Sequence, residues 1–227
     1  MDYTVQDIAK MIDHSLLKPQ LTDEEIIAGC EVAKKYDVAS VCCPPFALAT
    51  VAKLLEGTDI RPSTVIGFPH GYNKTETKAF EAEQAIKDGC IELDMVLNIS
   101  KLKSGDHEYV LNDIKTICDI AHANNAFVKV IFENFYLTNE EKVTACKLCE
   151  KAGADWVKTS TGFAGGGATI EDLKLMRANV SEKIQVKAAG GVRTLDAALE
   201  VREVGCTRFG ATATEIIIED CYKRKGS

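Results

Sequence analysis

The 227-residue sequence predicts an α/β protein folded as a single (β/α)8 barrel. Three observations carry that expectation. Short apolar runs recur with centres roughly 25–35 residues apart, and amphipathic helical stretches fill the intervals, which is the signature of βαβ units on a parallel sheet. The helical stretches open on capping pairs and close on glycine. No low-complexity segment or linker interrupts the alternation, so one domain over residues 1–227 is expected.

In chain order, the first strand is expected in the short stretch IDHSLL (12–17), because LTDEE then opens a helix. VASVCCP (38–44), STVIGFP (63–69), IELDMVL (91–97), AFVKVIFE (126–133), DWVKTST (155–161), IQVKAAGG (184–191) and CTRFGAT (206–212) supply seven more. DEEIIAGCEVAKKY, ETKAFEAEQAIKDG, HEYVLNDIKTICDIAHAN and NEEKVTACKLCEKAG are the clearest helices between them. Thr22 with Glu25, Thr138 with Glu141, and Thr169 with Asp172 fit the S/T-x-x-E/D capping pattern. Gly89, Gly153 and Gly205 mark helix ends. A doubly wound open sheet is the alternative arrangement of the same elements.

A formal net charge of -7 argues against a nucleic-acid partner, since such domains carry a basic face. The N-terminal stretch lacks the basic, apolar and small-residue parts of an export signal, and no run approaches the length of a membrane span. A cytoplasmic protein with no membrane partner is expected. In that compartment the nine cysteines read as small apolar residues rather than disulfides. The lone C-x-x-C of Cys146 and Cys149 has neither a second pair nor neighbouring histidines, so no metal is expected there.

The chemistry is sought where a barrel keeps it, at the C-terminal ends of strands and in the loops beyond. Lys158, Lys187 and Asp94 are charged residues inside apolar runs, each near the end of its strand. A charge in such a place is costly unless it is paired or neutralised. Desolvation and a neighbouring cation both depress a lysine pKa, and a neutral lysine amine attacks carbonyl carbon to give a Schiff base. A nearby carboxyl group can exchange protons with the carbinolamine and hydroxyl groups that follow. Lys129 lies earlier in its strand and reads as structural or as a support behind the reacting residues.

Glycines cluster after the late strands. Gly162, Gly165–Gly167, Gly190, Gly191 and the Gly210-Ala211-Thr212 turn occupy the corner where barrels commonly hold phosphate on backbone amides. Turn formation alone also explains any one of them. Arg193 either adds charge there or is a solvated helix-start residue. Cys42 reads as packing, and His70, at a strand end, reads as a hydrogen-bonded loop residue, with a place in the site's lining as the alternative.

The stretches IDHSLLKP, VIGFPHG, KAFEAEQAIKDG, ELDMVLN, KSGD, VKVI, EKAGADWVKTSTGF, GGAT and KAAGGVRT together resemble the deoxyribose-phosphate aldolase family of class I aldolases. The match runs in order from Ile12 to about Thr212, and VKTSTGF with K-x-x-G-G-V-R is its most specific part. The resemblance implies a TIM barrel with no metal and no cofactor. It implies reversible cleavage of the phosphosugar 2-deoxy-D-ribose 5-phosphate to D-glyceraldehyde 3-phosphate and acetaldehyde, in deoxyribose phosphate breakdown. By motif, Lys158 forms the Schiff base, Lys187 lowers its pKa and helps proton transfer, and Asp94 is proton donor and acceptor. Gly162, Gly190, Gly191, Gly210, Ala211 and Thr212 hold the phosphate. Asp13 and Thr161 are supporting polar residues, Cys42 lines the pocket, and a homodimer is the family expectation.

The sequence departs from the family pattern in two places. Asn134 and Phe135 in ENFYLT stand where the family has a threonine and a glycine near the rim. Ala213 in GATATE lacks a hydroxyl expected near phosphate. Tyr222 in the C-terminal tail is assigned no role. Other enzyme readings are a metal-dependent aldolase, for which His14, His70, His107 and His122 do not cluster, and a phosphosugar isomerase. A non-enzyme reading is a catalytically silent phosphosugar-binding barrel.

Overall fold

A computed structural model describes residues 3–226. Eight parallel strands close into a barrel in sequence order: β1 (Ile12–Ser15), β2 (Ser40–Cys43), β3 (Arg61–Ile66), β4 (Glu92–Val96), β5 (Phe127–Ile131), β6 (Trp156–Lys158), β7 (Gln185–Ala189) and β8 (Arg208–Ala211). Closure rests on β1 pairing with β8, with His14 opposite Ala211, which removes the open-sheet alternative. All eight expected strands form. Their ends are trimmed where the apolar runs turn into loops, so that DWVKTST keeps only Trp156–Lys158 as strand.

Among the described residues ten α-helices accompany the barrel: α1 (Val5–Ala9), α2 (Asp23–Lys35), α3 (Leu48–Leu54), α4 (Thr75–Lys87), α5 (Ile99–Lys103), α6 (His107–Ala123), α7 (Asn139–Ala152), α8 (Ile170–Ala178), α9 (Leu195–Glu203) and α10 (Thr214–Lys225). Thr22 with Glu25 and Thr138 with Glu141 form complete capping boxes. Thr4 with Asp7 forms a third that was not expected. Thr169 caps α8 from one side only. The Asp172 carboxylate turns instead to Lys142, at 2.6 Å, and to Asn134, at 3.2 Å. Gly153 ends α7 with φ at +80°, a conformation that a side chain disfavours.

The period-two alternation of the strands decides where the apolar core sits. Ile12, Val41, Ile66, Leu93, Met95, Val128, Val130, Val157, Val186 and Phe209 belong to the main hydrophobic cluster, between the strands and the helix ring. Each such side chain contributes about 1.5–3 kcal/mol by leaving water. The alternate positions face inward, and many are ionic: Asp13, Glu92, Asp94, Lys129, Lys158, Lys187 and Arg208, all buried. A register slip of one residue would drive these charges into the helix layer, so the alternation also fixes the pairing.

All nine cysteines are unpaired and buried, Cys146 and Cys149 among them on α7. Among the described residues, no helix is long and apolar enough to cross a membrane, and no group of three or more His, Cys, Asp or Glu residues gathers in metal-binding geometry.

Candidate active site

A cavity of about 250 Å³ opens at the C-terminal ends of the strands. Lys158 and Lys187 stand in its wall, neighbours across the β6–β7 ladder. Asp94 lies beneath them with no exposure. One oxygen of Asp94, Oδ2, accepts from both lysines, Lys158 Nζ at 2.7 Å and Lys187 Nζ at 2.7 Å. Its other oxygen accepts from Lys129 Nζ at 3.0 Å. Lys129 also donates to Glu92. Lys187 forms a second ion pair with Asp13 at 2.6 Å, and Asp13 accepts from Arg208 at 2.5 Å and from Ser40 at 2.7 Å. Arg208 reaches on to Glu92 at 2.9 Å.

The buried network therefore holds four cations, Lys129, Lys158, Lys187 and Arg208, against three carboxylates, Asp13, Glu92 and Asp94. A net charge enclosed in a low-dielectric interior is costly, and it is relieved most readily by loss of one proton. The lysines diverge accordingly. Burial pushes the Lys158 pKa down and the Lys187 charge pushes it further, against the pull of Asp94; the net shift is downward. Burial also presses on Lys187, but Asp13 and Asp94 outweigh it and raise its pKa. Burial would raise the Asp94 pKa, yet Lys129, Lys158 and Lys187 together hold it far below the carboxylate range. The site thus combines an amine that holds its proton less tightly than an ordinary lysine, an ammonium that holds its proton more tightly, and a carboxylate kept charged by its neighbours.

Asp13, Cys42, Thr161, Gly162, Gly190, Gly191, Gly210, Ala211 and Thr212 all line the same cavity. Burial raises the Cys42 pKa, so it presents a thiol to the pocket. Gly190 and Gly191 have φ of +78° and +97°, and a Cβ on Gly190 would lie 2.9 Å from Gly167 Cα, so this turn requires glycine. α10 begins just past Thr212, and its N-cap, Ala213, makes no side-chain cap, leaving the first amides of the helix to other acceptors. Exposed Lys18 and Arg193 complete the rim. Two glycine turns, the uncapped start of α10 and two cations thus stand together beside the lysines, the kind of donors that anions favour.

Several sequence expectations need correction. Gly165–Gly167 are not in the wall: Gly165 and Gly166 pack under the Phe135 ring, and Gly167 packs on the Gly190 backbone. Asn134 is buried with its side chain on Asp172 and Met176, away from the cavity, and Phe135 is a largely exposed cover on the glycine loop. His70 stacks on Tyr72 at 5.2 Å, outside the wall. Lys129, by contrast, stands behind the site as one of its two expected readings has it, touching Asp94 directly.

Sequence reasoning missed Glu92, Arg208, Ser40, Lys18, Phe163 and Glu133. For the first two a signal existed. Glu92 sits two residues before Asp94, on the same strand face, and Arg208 breaks an apolar run just as the catalytic candidates do.

Comparison with known proteins follows the same line. A family model described as DeoC/LacD family aldolase matches residues 7–212. A deoxyribose-phosphate aldolase of Rhodopirellula baltica is 50% identical over 225 residues, covering 99% of this chain and 93% of the relative. One from a Thermoanaerobacter species is 53% identical over 222 residues, covering 97% and 100%. Among solved structures, the aldolase QR15 superposes with a TM-score of 0.91 at 37% identity, over 96% of this chain and 97% of that one. The tetrameric deoxyribose phosphate aldolase of Aeropyrum pernix gives 0.89 at 27% identity, over 99% and 94%. With this agreement along nearly its whole length, the chain belongs to the DeoC/LacD family of aldolases.

Proposed function

We propose that this aldolase cleaves 2-deoxy-D-ribose 5-phosphate reversibly to D-glyceraldehyde 3-phosphate and acetaldehyde, through a Schiff base on Lys158. The single observation that carries the reading is the shared Asp94 oxygen, with the two lysines on it shifted in opposite directions. The substrate assignment draws on the deoxyribose-phosphate aldolases that the chain resembles and on the anion-favouring donors beside Lys158.

In this mechanism the neutral Lys158 amine attacks C1 of the open-chain aldehyde. The carbinolamine loses water to give an iminium, a cation 2.7 Å or so from Asp94 Oδ2, where an ammonium sat before. The C3 hydroxyl then gives up its proton, the C2–C3 bond breaks, and its electron pair enters the iminium to form an enamine. Glyceraldehyde 3-phosphate leaves. The enamine takes a proton at C2, and water releases acetaldehyde and free Lys158. Asp94, held ionised, serves as the proton acceptor, and Lys187, held protonated, as the donor and relay. The assignment of both donor and acceptor roles to Asp94 thus narrows to acceptor. Gly162, Gly190, Gly191 and the Gly210–Thr212 turn receive the phosphate, with Asp13 setting Lys187.

Membership of an aldolase family favours this reading over an isomerase or a silent barrel. A homodimer belongs to the same proposal, supported only by the tetrameric relative, and light scattering on the purified protein tests it. The decisive experiment is borohydride reduction in the presence of acetaldehyde or deoxyribose 5-phosphate, followed by peptide mass mapping. An adduct on Lys158 that disappears in Lys158→Ala is expected. An adduct on Lys187 or Lys129, or none, would overturn the assignment.

A further inference from the structure

Glu133 lies two residues past β5, is 2% exposed and takes no part in the steps above. Its backbone is left-handed, with φ at +55°. Three non-glycine residues among those described share that region, and two are explained locally: Asp37 and Asn125 each follow a helix end and are of the residue types that tolerate it. Glu133 ends no helix and is not such a residue. An outlier of this kind persists where its surroundings over-determine it, and it points to a site.

The surroundings are specific. Phe132 N–H donates to Lys158 C=O, and Asn134 N–H to Thr159 C=O, both at 3.0 Å, so the segment past β5 is zipped to the segment carrying Lys158. Between these two bonds the Glu133 side chain reaches forward. Its Oε2 accepts from Thr161 N–H at 3.1 Å and from the Thr161 hydroxyl. The hydroxyl oxygen in turn accepts from Phe163 N–H at 3.0 Å. Glu133 Oε1 is buried and has no hydrogen-bond partner among the described residues. Thr161, Gly162 and Phe163 all line the cavity, and Phe163 meets Phe68 edge-on at 5.4 Å, across from the β3–α4 loop. Gly162, at φ +89° with no atom near its absent Cβ, gives this loop no rigidity of its own.

We infer that Glu133 is a positioning residue whose carboxyl group clamps the Thr161–Phe163 loop, and so shapes the part of the cavity that takes the phosphate-bearing end of the substrate. The Thr161 hydroxyl hydrogen is committed to Glu133, which makes Thr161 part of the clamp rather than a donor to the sugar. Lys158 leans on Asp94, not on this loop. Loss of the clamp therefore separates substrates by length: a two-carbon aldehyde still reacts with Lys158, and a sugar phosphate loses its seat. The inference rests on the substrate reading above for its kinetic consequence, and on the hydrogen bonds alone for the clamp itself.

Glu133→Ala and Glu133→Gln test it, with Thr161→Val as an independent break in the same chain of bonds. In Glu133→Ala, KM for deoxyribose 5-phosphate rises about tenfold or more while kcat changes by less than about threefold. Borohydride trapping of acetaldehyde on Lys158 stays within about twofold of wild type. The Gln amide oxygen still accepts both Thr161 bonds, so Glu133→Gln recovers KM to within about threefold. Thr161→Val moves KM in the same direction. Amide hydrogen exchange speeds up at Thr161 and Phe163 in Glu133→Ala and at Phe163 in Thr161→Val, whichever sugar the enzyme takes. Equal losses with acetaldehyde and sugar phosphate, or unchanged exchange at these two amides, would overturn the clamp. Failure of wild type to process deoxyribose 5-phosphate would overturn the substrate reading, and the exchange data would still decide on Glu133.

Discussion

Replacing Lys187 by methionine removes one charge from beside Lys158 while keeping its bulk. Both ammonium groups sit 2.7 Å from the same Asp94 oxygen, so their nitrogens are no more than twice that distance apart. Two unit charges about 5 Å apart at an effective dielectric of about 20 repel by roughly 3 kcal/mol, which is about two decades in a protonation equilibrium. Without Lys187, Asp94 also has one fewer cation to satisfy and pairs more fully with Lys158. Both effects hold the Lys158 proton on. The assay is the rate of acetaldehyde adduct formation on Lys158, quenched with borohydride across a pH series. In Lys187→Met the trapping rate near neutral pH falls by about a hundredfold, and the whole profile moves to higher pH, so that much of the loss is recovered in alkali. Lys187→Arg keeps the charge and leaves the midpoint near that of wild type. Parallel profiles for wild type and Lys187→Met, differing in height but not in midpoint, would refute the claim that Lys187 sets the protonation of Lys158.

The carboxylates each lysine holds separate two residues that look alike. Lys158 pairs with Asp94 alone, which keeps Lys129 and Lys187, so Lys158→Met changes stability by less than about 1 kcal/mol, whereas Lys129→Met takes a buried partner from Asp13, Glu92 and Asp94 at once and lowers it by about 3 kcal/mol, as urea unfolding would measure. His14 is buried on the outer face of β1 against the Thr214 hydroxyl, and burial pushes its pKa down to about 4. The unfolded chain, with an ordinary histidine near 6.5, then binds the proton more readily, so stability is full above that value and falls as pH drops toward 4. The loss reaches about 3 kcal/mol, and in His14→Gln the stability difference between pH about 7 and about 4 shrinks by that amount.

Most of the architecture was legible because its determinants are local. The capping pair at Thr138 and Glu141, the glycine stop at Gly153 and the alternation in ELDMV or QVKAA are read within a few residues. The charged positions at Lys158, Lys187 and Asp94 stood out because each breaks an apolar run. Which charges meet was less legible, because that depends on register and closure. Asp94 and Lys187 are 93 positions apart, and Asp13 and Arg208 are 195 apart, joined only because β1 lies against β8. Glu133 gave no signal. It occupies a loop, its residue type does not advertise a left-handed backbone, and its partner Thr161 lies 28 positions on. The glycines at 165–167 gave a false signal, since close packing on Phe135 and Gly190 demands small residues as strongly as phosphate does.

The division between an oily outer face and an ionic inner face of the strands also bears on temperature. Hydrated ionic groups lower the heat capacity of the unfolded chain, whereas hydrated apolar groups raise it. A barrel that releases both kinds of side chain from its strands has a flatter stability curve than one filled with Val, Ile and Leu on each side. The penalty for dehydrating the interior ions also shrinks on warming, because ion hydration carries a strongly unfavourable entropy. The ionic network around Lys158 thus broadens the range of temperature over which the barrel stays closed.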